Sequence, residues 1–213
     1  MNKSEKFWDR MANYYDREEK KDELTYIKII EKTKNYLKTS DIVLDYGCGT
    51  GLISNEIADN VKVIHAIDTS SKMIEIAKRK ADGRKIENID YEHSTIFDER
   101  YKRGSFDVIL VFNILHLLED TPKVMRRINE LLKPGGLIIS TTPCMGEKTF
   151  LSILLSLLSK IGLIPKIRSF KISELEDSIA NVNFEIVETE CLHQRSQQYF
   201  IVAKKIGDTK REI

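Results

Sequence analysis

Residues 44–51 read LDYGCGTG, and this stretch decides the fold. The preceding residues, Ile42 and Val43, extend it into a short apolar run typical of a buried strand, which then breaks into alternating glycines. Glycine has no Cβ, so the backbone can turn tightly there and approach a ligand closely. A strand that enters such a turn and then a helix is a common binding arrangement for nucleotides in α/β proteins. The turn therefore predicts a nucleotide-like ligand.

The spacing of the glycines excludes two common classes of nucleotide-binding motif. The dinucleotide fingerprint G-x-G-x-x-G needs a third glycine where this chain has Leu52, and the phosphate loop needs a lysine that does not follow Gly51. A G-x-G-x-G turn with an acid two residues upstream, Asp45, suits a ligand with an amino-acid end and no phosphate. S-adenosylmethionine has that shape.

Several motifs in the same order resemble the class I S-adenosylmethionine-dependent methyltransferases, in particular those similar to ubiquinone and menaquinone biosynthesis methyltransferases. The motifs are FWDRMANYYD at 7–16, LDYGCGTG at 44–51, HAIDTSSKMIEIAK at 65–78, SFDVILVFNILHLLED at 105–120, NELLKPGGLIIST at 129–141 and YFIVAKK at 199–205. The resemblance implies a Rossmann-like, doubly wound and mostly parallel seven-stranded sheet whose last strand is antiparallel. It also implies S-adenosylmethionine as cofactor, with S-adenosylhomocysteine as its product.

Asp68 ends the second apolar run, 17 residues after Gly51. A carboxylate at the tip of the second strand of such a unit accepts hydrogen bonds from both hydroxyls of a ribose. The alternative is helix capping, because Asp68, Thr69 and Ser70 precede a helical stretch and all favour the cap position. The spacing favours ribose binding.

The ligand is expected across the carboxyl ends of the first, second and fourth strands, where the strand order reverses. The glycine turn would then receive the methionine portion, Met73 one side of the adenine, and Asn113 the sulfonium region. The resemblance adds Tyr14, since a Tyr-Tyr-Asp stretch closes over the methionine end in related enzymes, although Tyr14 or Tyr15 could equally pack against the sheet. The predicted cofactor-binding residues are Tyr14, Asp45, Gly47, Cys48, Gly49, Gly51, Asp68, Thr69, Met73, Thr95, Ile96 and Asn113.

The segment after the third strand departs from the family. Where relatives commonly have Gly-Asp-Ala, with the acid near the adenine amino group, this chain has Ser94, Thr95 and Ile96. A backbone carbonyl or the Thr95 hydroxyl would have to accept that hydrogen bond, because Asp98 lies too far along the chain.

His116 is the candidate general base if the acceptor is a hydroxyl, since it follows Asn113 closely. The alternative, a histidine packed at the start of a helix, is favoured. Methyl transfer depends mainly on alignment of the two reactants and on exclusion of water, so the lack of an obvious catalytic pair does not argue against activity.

Composition agrees with an ordinary soluble enzyme. The formal net charge is +1, from 34 basic and 33 acidic residues that are mixed along the chain, so no nucleic-acid partner is expected. The cysteines lack paired spacing, which predicts neither a disulfide framework nor a metal site. The first residues lack the apolar run of a signal peptide, so a cytoplasmic location is expected.

Alternation of elements predicts an α/β fold. Helical stretches alternate with apolar runs that predict strands near residues 41–46, 62–67, 89–94, 106–112 and 136–141. Two further runs, 184–191 and 198–204, read as an antiparallel hairpin. One helix is predicted from Thr121, as N-cap, to the stop at residues 133–136, and another over 173–181, capped by Ser173.

The domain prediction is a single methyltransferase domain over residues 1–205, with a helical cap at 1–38, a helical lid at 144–170 and a loose tail at 206–213. Apolar residues dominate 148–161, which is too short to span a bilayer, so no stable membrane insertion is expected. This segment fits either a buried helix or, as we favour, a lid over an apolar substrate. The oligomeric state, monomer or homodimer, stays open.

The predicted function is methyl transfer from S-adenosylmethionine to a small, apolar or aromatic acceptor. The alternative from another class is a catalytically silent S-adenosylmethionine-binding protein with a regulatory or scaffold role, which the missing acid near the adenine keeps open. An oxidoreductase with a nicotinamide cofactor is a third interpretation, and Leu52 argues against it.

Overall fold

A seven-stranded sheet forms the centre of the chain within residues 3–144, 146 and 167–207, which the computed structural model describes. The strands are β1 (Ile42–Tyr46), β2 (Val63–Asp68), β3 (Ile89–His93), β4 (Phe106–Phe112), β5 (Leu132–Pro143), β6 (Phe184–His193) and β7 (Gln198–Lys205). Their spatial order is β3-β2-β1-β4-β5-β7-β6, with β1 to β5 parallel and β7 antiparallel to both of its neighbours. The predicted doubly wound α/β fold is confirmed.

Helices cover the sheet on both sides. They are α1 (Lys3–Glu19), α2 (Glu23–Lys34), α3 (Ser54–Ile57), α4 (Ser71–Arg84), α5 (Thr121–Leu131) and α6 (Ile172–Ala180). A short 3₁₀ turn, Lys20–Asp22, separates α1 from α2, so the predicted N-terminal helical region is two helices. The side chain of Asp22 accepts a hydrogen bond from the N–H of Thr25 and thereby begins α2.

Alternation along β4 explains why both faces of the sheet are buried. Ile109 and Val111 pack in one cluster with α5 and α6, whereas Val108 and Leu110 pack in a second cluster with α2 and α4. Successive side chains of a strand point to opposite faces, so a strand covered on both sides must be apolar throughout. This accounts for the continuous apolar run in the sequence.

The predicted helix starts are wrong by one or two residues. Asp120, not Thr121, caps α5, because its carboxylate accepts the N–H of Lys123 at 2.9 Å. A carboxylate at this end also interacts favourably with the helix dipole, which a hydroxyl does not. The last predicted helix begins at Ile172, and the Lys171 N–H donates to Glu174 at 3.2 Å, so Ser173 is no cap.

The end of α5 lies within two residues of the predicted stop, whereas the following strand begins earlier than predicted. The helix ends at Leu131 and β5 begins directly at Leu132, so the expected stop at residues 133–136 lies within the strand. Gly135 has a φ of +74°, which accommodates the irregular start of β5. Pairing with β4 passes from Leu132 to Leu137 and pairing with β7 begins at Leu137, so the glycines lie in an unpaired stretch before the regular part of β5.

The predicted lid lies mostly outside the described residues, as do residues 208–213 of the predicted tail. Its described ends are buried: Cys144 donates its backbone N–H to Gln197 at 2.9 Å, and Phe170 is fully buried. None of the described helices is long and apolar enough to cross a membrane.

Asp120 gives a direct test of the α5 start. Asp120→Ala should lower the free energy of unfolding by about 1 kcal/mol, because the Lys123 N–H loses its acceptor. Thr121→Val is the matched control: the buried Thr121 hydroxyl has no partner among the described residues, so its loss should cost nothing. Urea unfolding followed by circular dichroism measures both, and a larger loss for Thr121→Val would restore Thr121 as the cap.

Candidate active site

The glycine turn after β1 is held by hydrogen bonds within the protein. The carbonyl of Ile67 accepts the N–H of Gly47 at 2.8 Å and that of Cys48 at 3.0 Å, and Asp68 accepts the N–H of Gly49 at 3.0 Å. These N–H groups are therefore already satisfied, whereas a phosphate would need free ones. The arrangement agrees with a ligand that carries no phosphate.

Side chains from two elements pack directly against this turn, which explains the glycines. At Gly51, with a φ of +72°, an added Cβ would lie 2.2 Å from the Tyr91 hydroxyl of β3. At Gly49, with a φ of +54°, it would lie 3.2 Å from the ring of Tyr15 in α1. The turn is thus enclosed by α1 on one side and by β3 on another.

Asp45 is buried at the end of β1, where it accepts a hydrogen bond from the Ser54 hydroxyl. Burial, with the charge of Asp68 as a smaller cause, raises the pKa of Asp45 to about 7. A carboxylate in this state gains from a nearby cation, such as the ammonium of an amino-acid ligand. The neighbouring Cys48 thiol has its pKa raised by burial, so it is not an activated nucleophile.

Asp68 connects the turn to α4. Its two carboxylate oxygens accept the N–H of Gly49 at 3.0 Å and that of Ser70 at 2.8 Å. Ser70 is the N-cap of α4, since its hydroxyl accepts the N–H of Met73 at 3.1 Å. The capping alternative for Asp68 therefore does not apply, because Ser70 fills that position, while the ribose interpretation stays a prediction.

Helix α1 lies across the turn and the start of α4. Asp9 accepts hydrogen bonds from the Ser70 hydroxyl at 2.6 Å and the Lys72 N–H at 3.2 Å. Further along α1, Asp16 accepts a hydrogen bond from Thr50 in the turn and pairs with Lys80 of α4 at 2.7 Å. The helix thus covers the region predicted for the cofactor.

Tyr14 and Tyr15 differ in position. Tyr14 is 53% exposed and contacts Arg17 at the surface, so the structure does not bring it to the site. Tyr15 faces inward, and burial raises the pKa of its hydroxyl well above the usual value. Trp8, Ala12, Tyr15 and Glu19 follow the helical spacing i, i+4, i+7, i+11, which is the sequence signal that distinguishes the two tyrosines.

A cavity of about 500 Å³ opens between α1, α2, the glycine turn and the ends of β4 and β7. The predicted residues that line it are Asp45, Gly47, Cys48, Asn113 and His116. Residues that the sequence reasoning missed also line it, among them Trp8, Tyr15, Glu19, Asp22, Tyr26, His193 and Gln198. The other predicted residues, Gly49, Gly51, Asp68, Thr69, Met73, Thr95 and Ile96, do not line it.

The residues predicted around the adenine lie apart from the cavity. Met73 is 2% exposed because α1 packs over it, and Thr69 is exposed, with its carbonyl 3.0 Å from His93. After β3, Thr95 is exposed, but Ile96 is fully buried in the core and its carbonyl accepts Arg127 at 3.1 Å. The Ile96 side chain therefore faces away from a ligand on the surface.

Asn113 sits directly after β4 with a φ of +54°, a left-handed conformation that asparagine tolerates better than most residues. Its side-chain oxygen accepts Gln198 Nε2 at 2.6 Å, and its Nδ2 donates to the Glu19 carboxylate at 3.4 Å. Asn113 thereby joins β4, β7 and the end of α1 at one point of the cavity wall.

His116 lines the same cavity with a buried Nδ1 that has no hydrogen-bond partner in the part of the chain described. Burial lowers the pKa of His116 to about 4, so its imidazole is neutral at pH 7. A neutral ring with an unpaired nitrogen can exchange a hydrogen bond with a ligand, which keeps His116 as a candidate.

The raised pKa of Asp45 predicts how stability depends on pH. The folded chain binds the proton more tightly than the unfolded chain, whose pKa is near 3.8, so this group destabilises the fold as pH rises toward 7. The difference in free energy of unfolding between Asp45→Asn and the wild type should therefore increase by about 2 to 3 kcal/mol, in favour of the variant, from pH 5 to pH 8.

Urea unfolding of both proteins at the two pH values measures this difference. His116, whose pKa is lowered, changes stability in the opposite direction, but it is present in both proteins and cancels. A difference between the proteins that stays constant with pH would contradict the buried, uncompensated state of Asp45.

Comparison with known proteins agrees with this geometry. Residues 37–202 match the family described as Methyltransferase domain. A ubiquinone biosynthesis O-methyltransferase of Rickettsia bellii (strain OSU 85-389) is 30% identical over 171 residues, which cover 77% of this chain and 70% of that protein. One from Coxiella burnetii (strain RSA 493 / Nine Mile phase I) is 29% identical over 124 residues, or 58% and 53% of the two chains.

The chain spans about half the length of the Coxiella burnetii relatives that it matches. Among solved structures, an S-adenosylmethionine-dependent methyltransferase from Methanosarcina mazei superposes with a TM-score of 0.66 at 22% identity, covering 81% of this chain and 95% of that one. At this identity the likeness concerns the fold alone.

Proposed function

The chain belongs to the methyltransferase domain family, and from this premise we propose that it transfers a methyl group from S-adenosylmethionine to a small apolar or aromatic acceptor. The observation that carries the proposal is the cavity at the carboxyl ends of β1 and β4, where the strand order reverses. Asp45, the glycine turn, Asn113 and His116 line one space there.

The described residues fit the cofactor in charge and shape. The buried Asp45 carboxylate suits the ammonium of the methionine portion, and the turn allows close approach without offering free N–H groups to a phosphate. We assign the ribose to Asp68 and the closure over the methionine end to Tyr15 in place of Tyr14. Bound S-adenosylmethionine would supply a methyl group on an electron-poor sulfonium.

The chain itself would supply alignment and a dry environment. Holding two reactants in line can lower a barrier by about 7–11 kcal/mol at best, without any acid or base. Helix α1 is suited to exclude water, since Asp9 and Asp16 fix it over the turn and α4. His116 would accept a proton or hydrogen bond from an acceptor, as a neutral imidazole.

The wall of the cavity supports an acceptor with an apolar or aromatic body. Its described apolar and aromatic lining residues are Trp8, Tyr15, Tyr26, Ile29, Leu52, Ile53, Phe112, Leu117 and Pro143. Flat and aliphatic side chains of this kind bury a comparable ligand surface favourably.

Two other functions have less support. A catalytically silent S-adenosylmethionine-binding module is not favoured, because the relatives named above carry the names of enzymes. An oxidoreductase with a nicotinamide cofactor is disfavoured by Leu52 and by the family match.

Calorimetric titration with S-adenosylhomocysteine tests the proposal first. The wild type should bind it with micromolar affinity, and Asp68→Asn should bind at least tenfold more weakly, about 1.4 kcal/mol, because the ribose loses a charged acceptor. Asp59→Asn, which removes an exposed carboxylate away from the turn, is the matched control and should bind like the wild type.

NAD serves as the negative ligand in the same titration. A wild type that ignores S-adenosylhomocysteine would refute the methyltransferase proposal, and tight binding of NAD would move the chain to the oxidoreductases. Equal affinities of the wild type and Asp68→Asn would remove the ribose assignment alone.

A further inference from the structure

Glu19 places a carboxylate in the cavity that the proposed cofactor contacts do not use. It is the last residue of α1, and it lines the space together with Asn113 and Gln198. Burial raises the pKa of Glu19, and this effect outweighs the hydrogen bonds from Asn113 and Tyr15 that lower it. A partly buried carboxylate of this kind gains free energy when a cation reaches it.

The hydrogen-bond partners of Glu19 are neutral. Asn113 Nδ2 lies 3.4 Å from Glu19 Oε2, and the Tyr15 hydroxyl, which also lowers the pKa of Glu19, is neutral as well. Two of the basic residues nearby are paired with other acids: Lys21 with Glu18 at 2.6 Å and Lys80 with Asp16 at 2.7 Å. In the described part of the chain, no lysine or arginine lines the cavity.

Asn113, which contacts the Glu19 carboxylate, is itself held by hydrogen bonds. Gln198 donates to the side-chain oxygen of Asn113 at 2.6 Å, and this leaves the Asn113 amide group directed at Glu19. The Asn113 backbone is fixed as well, because its N–H donates to Thr141 at 2.9 Å. Glu19 therefore has a defined position at the end of β4 and is not a freely rotating surface acid.

The surroundings of Glu19 add negative potential and aromatic surface. The C-terminal end of a helix carries a partial negative charge, and α1 ends at Glu19. The cavity wall also contains Asp22, whose carboxylate lies 3.7 Å from His193 Nε2, and the rings of Trp8 and Tyr15. Aromatic faces attract organic cations within about 6 Å.

We infer that Glu19 binds a positively charged amino group of the methyl acceptor, so that the acceptor is a small amine with an aromatic or apolar body. The inference rests on the proposed methyltransferase function and names its substrate class. The carboxylate would recognise the ammonium, while the aromatic and aliphatic wall would take the rest of the molecule.

Three probes of similar size and different charge test the inference: 2-phenylethylamine, 2-phenylethanol and 3-phenylpropionate, which are cationic, neutral and anionic at pH 7. Binding of each to the protein with S-adenosylhomocysteine is measured by ligand-observed NMR at millimolar concentration. The wild type should bind the amine at least tenfold more tightly than the other two.

Glu19→Gln keeps the size of the side chain and removes its charge, so it should lose the tenfold preference for the amine while its calorimetric affinity for S-adenosylhomocysteine stays within twofold. Glu23→Gln is the matched control, because Glu23 is an exposed acid four residues away that does not line the cavity. This variant should keep both the preference and the cofactor affinity.

The outcomes separate the two proposals. The inference is overturned if the wild type binds no amine at millimolar concentration or binds the alcohol equally well, or if Glu19→Gln keeps the preference. Loss of S-adenosylhomocysteine binding in Glu19→Gln would also overturn it, since Glu19 would then serve the cofactor. A wild type that prefers the amine but binds no S-adenosylhomocysteine would support the ammonium site and refute the methyltransferase function.

Discussion

A single carbonyl group, that of Ile67 at the end of β2, holds the site together by accepting the N–H groups of Gly47 and Cys48. This pair of hydrogen bonds fixes the glycine turn against the neighbouring strand, and the Asp68 bond to Gly49 continues the connection. The turn is therefore part of the sheet edge and not a separate loop. The positions of Asp45, Asp68 and the start of α4 all depend on it.

The same arrangement leaves three carboxylates in an unfavourable environment. Burial raises the pKa of Asp45, Asp68 and Glu19, and the hydrogen bonds that each receives come from neutral groups. Polar groups buried in this way cost stability that tighter packing elsewhere must offset. Clustered groups with raised pKa values are typical of sites that bind or transform a ligand, because the ligand supplies the missing partner.

Local sequence patterns predicted the sheet well and the cavity only in part. The strands follow from apolar runs, and the glycine turn follows from its own residues, so both are local properties of the chain. The helix starts shifted because the Asp120 carboxylate accepts the Lys123 N–H at the start of α5, and Glu174 accepts the Lys171 N–H at the start of α6. Tyr15 was recoverable from the helical spacing of α1. Glu19 and Gln198 were not, because only the folded chain brings them to Asn113.

The residues that could be predicted from local sequence are mainly those assigned to the cofactor, and those that could not are mainly assigned to the acceptor. Most of the residues assigned to the cofactor, those from Asp45 to Met73, come from one continuous β-α-β-α unit whose geometry the glycine turn fixes. The acceptor carboxylate, Glu19, and the side chains that hold it, Asn113 and Gln198, come from α1, the end of β4 and β7, far apart in sequence. Because the second set can change without disturbing the first, one fold can retain its cofactor while its acceptors vary, and fold alone does not identify the acceptor. The acceptor must therefore be argued from the charge of Glu19 and the apolar wall beside it.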